Sequence, residues 1–162
     1  MVKSGSSLFR GKVSVEMAVQ KLKHYCGYQE RCHNEVRQKL YTLGLGKKEV
    51  EDVTVKLIEE GYLNEERFAR QFASGKSRIK GWGRKKIQLE LRQKGISEYC
   101  IDLALKTLDN KEYESVFQRA ATKKWEMLKR EKNIFVRKNK LRLWLLQKGF
   151  ESSLIENWKA ND

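Results

Sequence analysis

A segment closed by glycine recurs three times along the chain and constrains its fold more than any other feature. The copies read EVRQKLYTLGL, IQLELRQKGI and LRLWLLQKGF, and their glycines are Gly44, Gly95 and Gly149. Apolar residues fill matching columns: Val36, Ile87 and Leu141; Leu40, Leu91 and Leu145; and, six residues after each glycine, Val50, Ile101 and Ile155. The glycines are 51 and 54 residues apart, so each unit has room for three helices and short loops.

The spacing of apolar residues predicts helices throughout the chain. Proline, the commonest helix breaker, is absent from the 162 residues. The segment VTVKLIEEGYL is rich enough in β-branched residues to suggest a strand, yet Val53, Leu57 and Ile58 keep helical spacing. The predicted helices cover residues 14–27, 30–43, 47–60, 64–79, 83–94, 97–108, 111–130, 135–148 and 151–160. The sequence therefore predicts an all-α fold.

The predicted helices divide the chain into three tandem repeats of three helices. Residues 1–13 form a predicted flexible N-terminal tail, and the repeats cover 14–60, 61–110 and 111–162. A three-helix unit has a small core, so neighbouring repeats either share apolar surface or act as joined modules. Both arrangements predict an elongated, curved body that offers a long face to a partner.

Local signals support these helix boundaries. Asn64 is placed to cap a helix that begins at residue 65, where Glu65 and Glu66 favour the positive end of the helix dipole. Ser97 precedes Glu98 in the same way. The three repeated glycines stand where a helix needs a left-handed closing residue.

The charge of the chain indicates an acidic partner. There are 35 Lys and Arg residues against 21 Asp and Glu residues, with a formal net charge of +14. Such a balance is typical of proteins that bind nucleic acid or an anionic protein surface, and charge alone does not separate DNA from RNA. An odd cysteine count and the lack of an apolar leader or membrane span predict a cytoplasmic protein without disulfides.

The segment KSRIKGWGRKK, residues 76–86, holds six basic residues and no acidic one. A helix that begins near Gly83 would add its positive end and free amides, which together make an anion site. The alternative is a solvated loop, because runs of charge are common in basic proteins. Trp82 is either a stacking platform for a base or partner side chain, or a tryptophan that packs on its own repeat.

A second basic block covers residues 123–142, with nine basic residues against Glu126 and Glu131. Two blocks about one repeat apart suit a ligand that is itself long and charged. The alternative is again a solvated helix face.

Catalytic and metal chemistry are not indicated. His24, Cys26, Cys32 and His33 match no common zinc spacing, and buried cysteines acting as small apolar packers explain Cys26 and Cys100 better. No nucleophile motif has a base to pair with it. We expect no cofactor and no enzyme activity.

The ordered motifs resemble the RecX family of regulatory proteins. The resemblance rests on GYLNEERFARQF, then KSRIKGWGRKKIQLELRQKGIS, then LWLLQKGF followed by Ile155 and Trp158, and it spans about residues 14–160. It implies tandem three-helix repeats in a small cytoplasmic protein that binds RecA on single-stranded DNA. It also implies that the protein lies in the filament groove and suppresses strand exchange, ATP turnover and co-protease action. The family usually has proline where this chain has Arg84.

Within that resemblance we expect the basic surface to contact acidic filament surface or DNA. Arg67 and Arg70 share a predicted helix side with Arg78, and local ion pairs with Glu65 and Glu66 are the alternative. The predicted contact residues are Arg67, Arg70, Lys76, Arg78, Lys80, Trp82, Arg84, Lys85, Lys86, Lys123, Lys124, Arg137, Lys138 and Lys140. We expect a monomer. The competing hypotheses are a protein that binds single- or double-stranded DNA directly, and a helical adaptor for an acidic protein.

Overall fold

The computed structural model describes residues 11–161, and every regular element in that range is an α-helix. The helices of this range are α1 (Val15–Tyr28), α2 (His33–Thr42), α3 (Lys47–Glu59), α4 (Glu65–Lys80), α5 (Arg84–Gln93), α6 (Glu98–Lys106), α7 (Asn110–Met127), α8 (Ile134–Gln147) and α9 (Ser152–Asn157). The predicted all-α fold is confirmed, including α3, which contains the β-branched segment. Residues 1–10, most of the predicted tail, lie outside the described range.

The repeated glycine closes α2, α5 and α8 in the same way. Gly44, Gly95 and Gly149 have φ angles of 87°, 78° and 93°, a left-handed conformation that costs other residues free energy. After each glycine, the next amide donates to a carbonyl five residues back: Leu45 to Leu40 at 3.3 Å, Ile96 to Leu91 at 3.1 Å and Phe150 to Leu145 at 3.2 Å. This is the Schellman closure of a helix, and it occurs at all three repeated positions.

The repeated apolar columns lie in the core. The six residues of the two helical columns, Val36, Ile87, Leu141, Leu40, Leu91 and Leu145, are at most 4% exposed. Val50 and Ile101 are fully buried, and Ile155 is half-buried. The repeated apolar columns of the sequence therefore correspond to core positions that recur along the chain.

Contacts divide the chain into two compact units, one ending at Asn64 and one beginning at Glu65. The first unit holds α1, α2 and α3 around a core that includes Leu22, Leu40 and Leu57. Its described part begins before α1, because the Val13 amide donates to the Leu43 carbonyl at 3.3 Å. Ser14 then caps α1 by accepting from the Met17 amide at 3.2 Å.

The second unit holds α4 to α9. Helix α4 packs on α5 and α6, and α7 packs on α4 and α8. The core of its last three helices is aromatic: Phe117 meets Phe150 edge-on at 5.2 Å, and Trp125 meets Trp158 edge-on at 5.7 Å between ring centroids. The division into three repeats at residues 60 and 110 stays a prediction.

Three helix ends show how local chemistry sets the boundaries. Ser97 caps α6 as predicted, accepting from the Cys100 amide at 3.4 Å. Helix α2 begins three residues after its predicted start, because the Glu35 carboxylate accepts from the Cys32 amide at 2.9 Å and closes the helix entrance there. Helix α9 ends before Trp158, whose backbone is extended.

Candidate partner-binding surface

A groove between α4, α7 and α8 gathers predicted contact residues from both basic blocks. Its volume is about 460 Å³. Its lining residues are Arg78, Ile79, Lys80, Gly81, Val116, Arg119, Ala120, Lys123, Lys124, Met127, Trp144 and Lys148. We call it the lysine groove. Six of these lining residues are basic. None of the described lining residues is acidic.

The ends of α4 and α8 and one face of α7 build the groove. Helix α4 ends at Lys80 because Gly81 follows with a left-handed φ of 64°. The basic residues Arg78 and Lys80 therefore lie in the last turn of α4, at the margin of the groove. Along α7 the lining residues Val116, Ala120, Lys123 and Met127 recur at steps of three and four, which places them on one helix face.

The lysines of the groove fall into two pairs. Lys80 and Lys123 are exposed, and within the described residues neither has an ion pair. Lys124 and Lys148 each place their Nζ 5.4 Å from the Trp144 ring centroid. A cation above an aromatic ring is attracted to its negative face, so Trp144 holds these two lysines against the groove wall.

Arg78 has a different role at the groove margin. Its Nε and Nη2 atoms meet the two carboxylate oxygens of Glu112 at 2.6 and 2.9 Å. This two-point contact joins α4 to α7 and raises the pKa of Arg78 above its ordinary value, first through the hydrogen bond to Glu112. Arg78 is therefore less available to an external anion than Lys80 or Lys123.

Trp82 packs against Phe72 of α4. Its ring meets Phe72 edge-on at 6.3 Å and is half-buried. Lys76 and Lys86 place their Nζ atoms 5.0 and 4.5 Å from the Trp82 centroid. Of the two interpretations of Trp82 offered by the sequence, the geometry favours packing over an open stacking platform.

Arg84 lies in a network that joins α5 to α7 and α9. Its guanidinium stands 3.8 Å from the Tyr113 ring centroid and donates to Glu151 at 3.2 Å and to Asn110 at 3.0 Å. Its backbone amide donates to the Tyr113 hydroxyl at 2.9 Å, and that hydroxyl donates to Glu151 at 2.7 Å. We call these four residues the Arg84 joint.

The Arg84 joint is only partly open to water. Tyr113 is 3% exposed. Burial, followed by the neighbouring Glu151 carboxylate, raises the pKa of Tyr113 far above its ordinary value, so its hydroxyl keeps the proton that it donates. A proline at residue 84 has no amide hydrogen and could not donate to Tyr113.

Two glycines let the backbones meet beside this joint. The Gly83 amide donates to the Lys148 carbonyl at 2.8 Å, and the Lys85 amide donates to the Gly149 carbonyl at 3.0 Å. A Cβ atom at Gly83 would collide with the Gly149 backbone, and one at Gly149 would collide with Lys86. In the first turn of α5, the Lys85 amide is therefore occupied by its hydrogen bond to Gly149 and is not available to an external anion.

The segment that opens α4 forms local ion pairs. Arg70 pairs with Glu66 at 2.6 Å, which was the alternative to a contact surface at this position. Glu65 accepts from the Ser97 amide at 2.9 Å and so helps to cap α6. Arg67 is exposed on α4.

The remaining predicted residues have mixed surroundings. Arg137 is half-buried, stacks 3.7 Å from the Trp125 ring centroid and donates to the Trp125 carbonyl at 2.7 Å. Lys140 pairs with Glu131 at 3.0 Å. Lys85 and Lys138 are exposed. Arg137 thus has a structural role, and of the described basic residues in the second block only Lys123 and Lys124 line the lysine groove.

Sequence reasoning did not identify Ile79, Arg119, Met127, Trp144 and Lys148 as part of a site. The steps of three and four along α7 could have grouped Arg119 with Lys123 and Met127 on one face. No local pattern could have placed Ile79 or Lys148 opposite that face, since this depends on how α4 and α8 pack on α7.

Residues 11–161 contain no group of three His, Cys, Asp or Glu side chains arranged to hold a metal ion. None of the helices described is both long and apolar enough to cross a bilayer. All three cysteines are buried, and burial raises the pKa of the Cys100 thiol.

Known proteins resemble this chain over most of its length. The family models of the second and third three-helix domains of RecX match residues 64–105 and 112–158. Proteins named "Regulatory protein RecX" from Prosthecochloris aestuarii and Pelodictyon phaeoclathratiforme are 35% and 37% identical over 133 residues, covering 81% of this chain and 83% and 79% of theirs. The crystal structure of RecX from Lactobacillus salivarius superposes with a TM-score of 0.77 at 25% identity, covering 88% of this chain and 92% of that one.

Proposed function

This chain belongs to the RecX family of regulatory proteins, and from that premise we propose that it binds the RecA filament on DNA, lies in the filament groove and inhibits RecA. The inhibited activities would be strand exchange, ATP turnover and co-protease action. The protein would act as a cytoplasmic monomer in recombination, DNA repair and the SOS response.

The lysine groove is the observation that carries this proposal. It presents Lys80, Lys123, Lys124 and Lys148 on one surface, with Arg119 beside them. No acidic side chain is among the described lining residues, and clustered cations of this kind raise the local potential, attract an anionic assembly and orient it during encounter. A protein filament on DNA is such an assembly, because the nucleic acid carries a regular row of phosphates whose field steers the encounter at long range, whichever component the groove then contacts.

The Arg84 joint supports the proposal by fixing helices near the groove. Arg84 holds the start of α5 to Tyr113 of α7, and Arg78 holds the end of α4 to Glu112 of the same helix. A surface whose parts are already fixed loses less conformational freedom on binding, so more of its contact energy appears as affinity.

The mechanism of inhibition requires binding alone. Contacts made by separate three-helix groups of one chain add through effective concentration, so several weak contacts give stable occupancy. A protein that occupies the filament groove blocks entry of the duplex needed for strand exchange. The same occupancy across a subunit joint hinders the addition of subunits.

A charge reversal tests the role of the groove. In Lys80→Glu/Lys123→Glu both substituted side chains are exposed and unpaired within the described range, so folding should be unchanged. The matched control is Lys48→Glu/Lys132→Glu, which alters net charge equally at exposed residues outside the groove. We expect the groove variant to need at least about tenfold more protein to inhibit RecA strand exchange, as if one charged contact were lost.

Equal inhibition by the groove variant and the control would contradict the proposal. As a control, circular dichroism and thermal melts of both variants should show that each is folded. A RecA ATPase time course at substoichiometric protein then separates two modes of action. If ATP turnover is lost at well below one protein per RecA subunit, the protein caps filament ends. If the loss is proportional to the protein added, the protein covers the groove of the filament.

Direct DNA binding is the second candidate function, and the same cationic groove favours it. Fluorescence anisotropy with labelled single-stranded and duplex DNA, with and without RecA and nucleotide, separates the two candidates. A direct binder holds RecA-free DNA with an affinity that falls steeply as salt rises, because counterions are released on binding. Under our proposal the nucleotide-bound filament is preferred over bare DNA at the same salt concentration.

A further inference from the structure

The lysine groove combines cations with exposed aliphatic side chains. Ile79 and Met127 line it and are 82% and 67% exposed, large fractions for side chains of this size. Ala120 of α7 is half-buried and also lines the groove, whereas Val116 beneath it is only 5% exposed. A ligand that satisfied the lysines alone would leave this apolar surface in water.

The aromatic ring of the groove is poorly suited to stacking a base. Sequence-tolerant binding of single strands uses aromatic faces that are open to the bases. Trp144 is half-buried, and the ammonium groups of Lys124 and Lys148 already lie 5.4 Å from its ring centroid. A base that stacked on Trp144 would have to compete with these lysines.

An acidic peptide that also carries apolar side chains matches both parts of the groove. Its carboxylates would reach Lys80 and Lys123, which have no ion pair within the described range. Its apolar side chains would cover Ile79 and Met127 and remove their surface from water. Steering by charge and retention by apolar burial then act on the same ligand.

We propose that the lysine groove binds an acidic, apolar-containing segment of a partner protein rather than nucleic acid. This inference deepens the proposed function and rests on it for one point, that the partner protein is a subunit of the RecA filament. The chemistry of recognition, carboxylates on Lys80 and Lys123 with apolar side chains on Ile79 and Met127, depends on the groove alone.

A binding assay with three labelled probes tests the inference on the full chain. The probes are a peptide in which Asp and Glu alternate with Leu and Phe, the same peptide with Ser in place of Leu and Phe, and a thymidine oligonucleotide of equal charge. We expect the apolar peptide to bind at least about tenfold more tightly than the Ser peptide, as burial of about one large side chain predicts.

Variants of the apolar surface identify the site of binding. Ile79→Ser/Met127→Ser should weaken the apolar peptide about tenfold and leave the oligonucleotide unchanged. Leu89→Ser is the matched control, because Leu89 is 52% exposed on α5 and does not line the groove. Since all three side chains are largely exposed, the variants should fold like the parent chain.

Equal binding of the two peptides, or no effect of the apolar double variant, would overturn the inference. So would an oligonucleotide that bound more tightly than the apolar peptide and depended on Lys80 and Lys123, since the groove would then be a nucleic-acid site. If the lysine variant loses RecA inhibition while the peptide never binds, only this inference fails. If the peptide binds but the lysine variant inhibits RecA normally, the proposed function fails together with RecA as the partner, while the chemistry of recognition by the groove stands.

Discussion

Removal of one hydroxyl from the Arg84 joint should destabilise the second unit strongly. The substitution Tyr113→Phe keeps the ring on which the Arg84 guanidinium stacks, and it keeps the contact with Phe150 at 5.9 Å between ring centroids. It deletes the donor to Glu151 and the acceptor of the Arg84 amide. The variant therefore tests these two hydrogen bonds separately from packing.

The expected loss follows from the partners of the hydroxyl. A hydrogen bond to a charged group contributes about 1.5–3 kcal/mol, and one to a neutral amide contributes about 1 kcal/mol. Because Tyr113 is only 3% exposed, water replaces these partners poorly. The free energy of unfolding should fall by about 3 kcal/mol, which corresponds to a melting temperature roughly 10 °C lower for a protein of this size.

Urea unfolding followed by circular dichroism measures this change. Tyr99→Phe is the control, because Tyr99 is 71% exposed and should tolerate loss of its hydroxyl within about 0.5 kcal/mol. A cycle with Arg84→Ala should show coupling of about 1 kcal/mol between Arg84 and Tyr113, which share Glu151 as a partner. If Tyr113→Phe were no more destabilising than Tyr99→Phe, the joint would have no energetic role.

Two further predictions concern the same region. The raised pKa of Tyr113 means that the native state keeps this proton above the ordinary pKa of 10.0, where the unfolded chain loses it, so stability should fall as pH rises past that value. Urea titrations at rising pH should show a shallower fall for Tyr113→Phe than for Tyr99→Phe, and parallel curves would refute this. Gly149→Ala should destabilise the fold by more than about 3 kcal/mol, since left-handed strain of about 1–2 kcal/mol adds to the collision with Lys86. Gly61→Ala, with a φ of 78° and no described atom within 4 Å of the added Cβ, should show the strain alone, and equal losses in the two variants would contradict the close approach.

The elements that could be predicted from sequence depend on neighbours along the chain. Helical spacing, the Ser97 cap and the three closing glycines are each determined within a few residues, and the structure confirms all of them. The structure begins α2 three residues after the predicted start, within the usual uncertainty of about 2–4 residues, because Glu35 caps Cys32 from inside the helix. No N-cap side chain marks that boundary in the sequence.

The candidate site depends on residues far apart in sequence, and for this reason only part of it could be predicted. Arg84 lies in a basic run of the sequence. That run does not indicate its partner Glu151, which is 67 residues away and accepts a hydrogen bond from the Arg84 guanidinium. Lys148 belongs to the repeated glycine motif, and that motif indicates only the end of a helix. Its place beside Trp144 follows from the packing of α8, which no local pattern specifies.

Pairing separates the basic residues of this chain into two roles. Arg78, Arg84 and Arg137 each meet a carboxylate, a carbonyl or an aromatic ring within the second unit, and each joins two segments of it. Lys80 and Lys123 have no ion pair among the described residues and lie in one groove. Arginine suits the joining role because its planar guanidinium makes several fixed hydrogen bonds while it stacks on a ring, whereas lysine offers a mobile point charge. Charge reversal of a joining arginine should therefore reduce the free energy of unfolding more than it reduces affinity for the partner. Charge reversal of a groove lysine should reduce that affinity and leave the free energy of unfolding nearly unchanged. A basic run in the sequence thus offers a candidate binding surface where the fold leaves its cations without ion pairs.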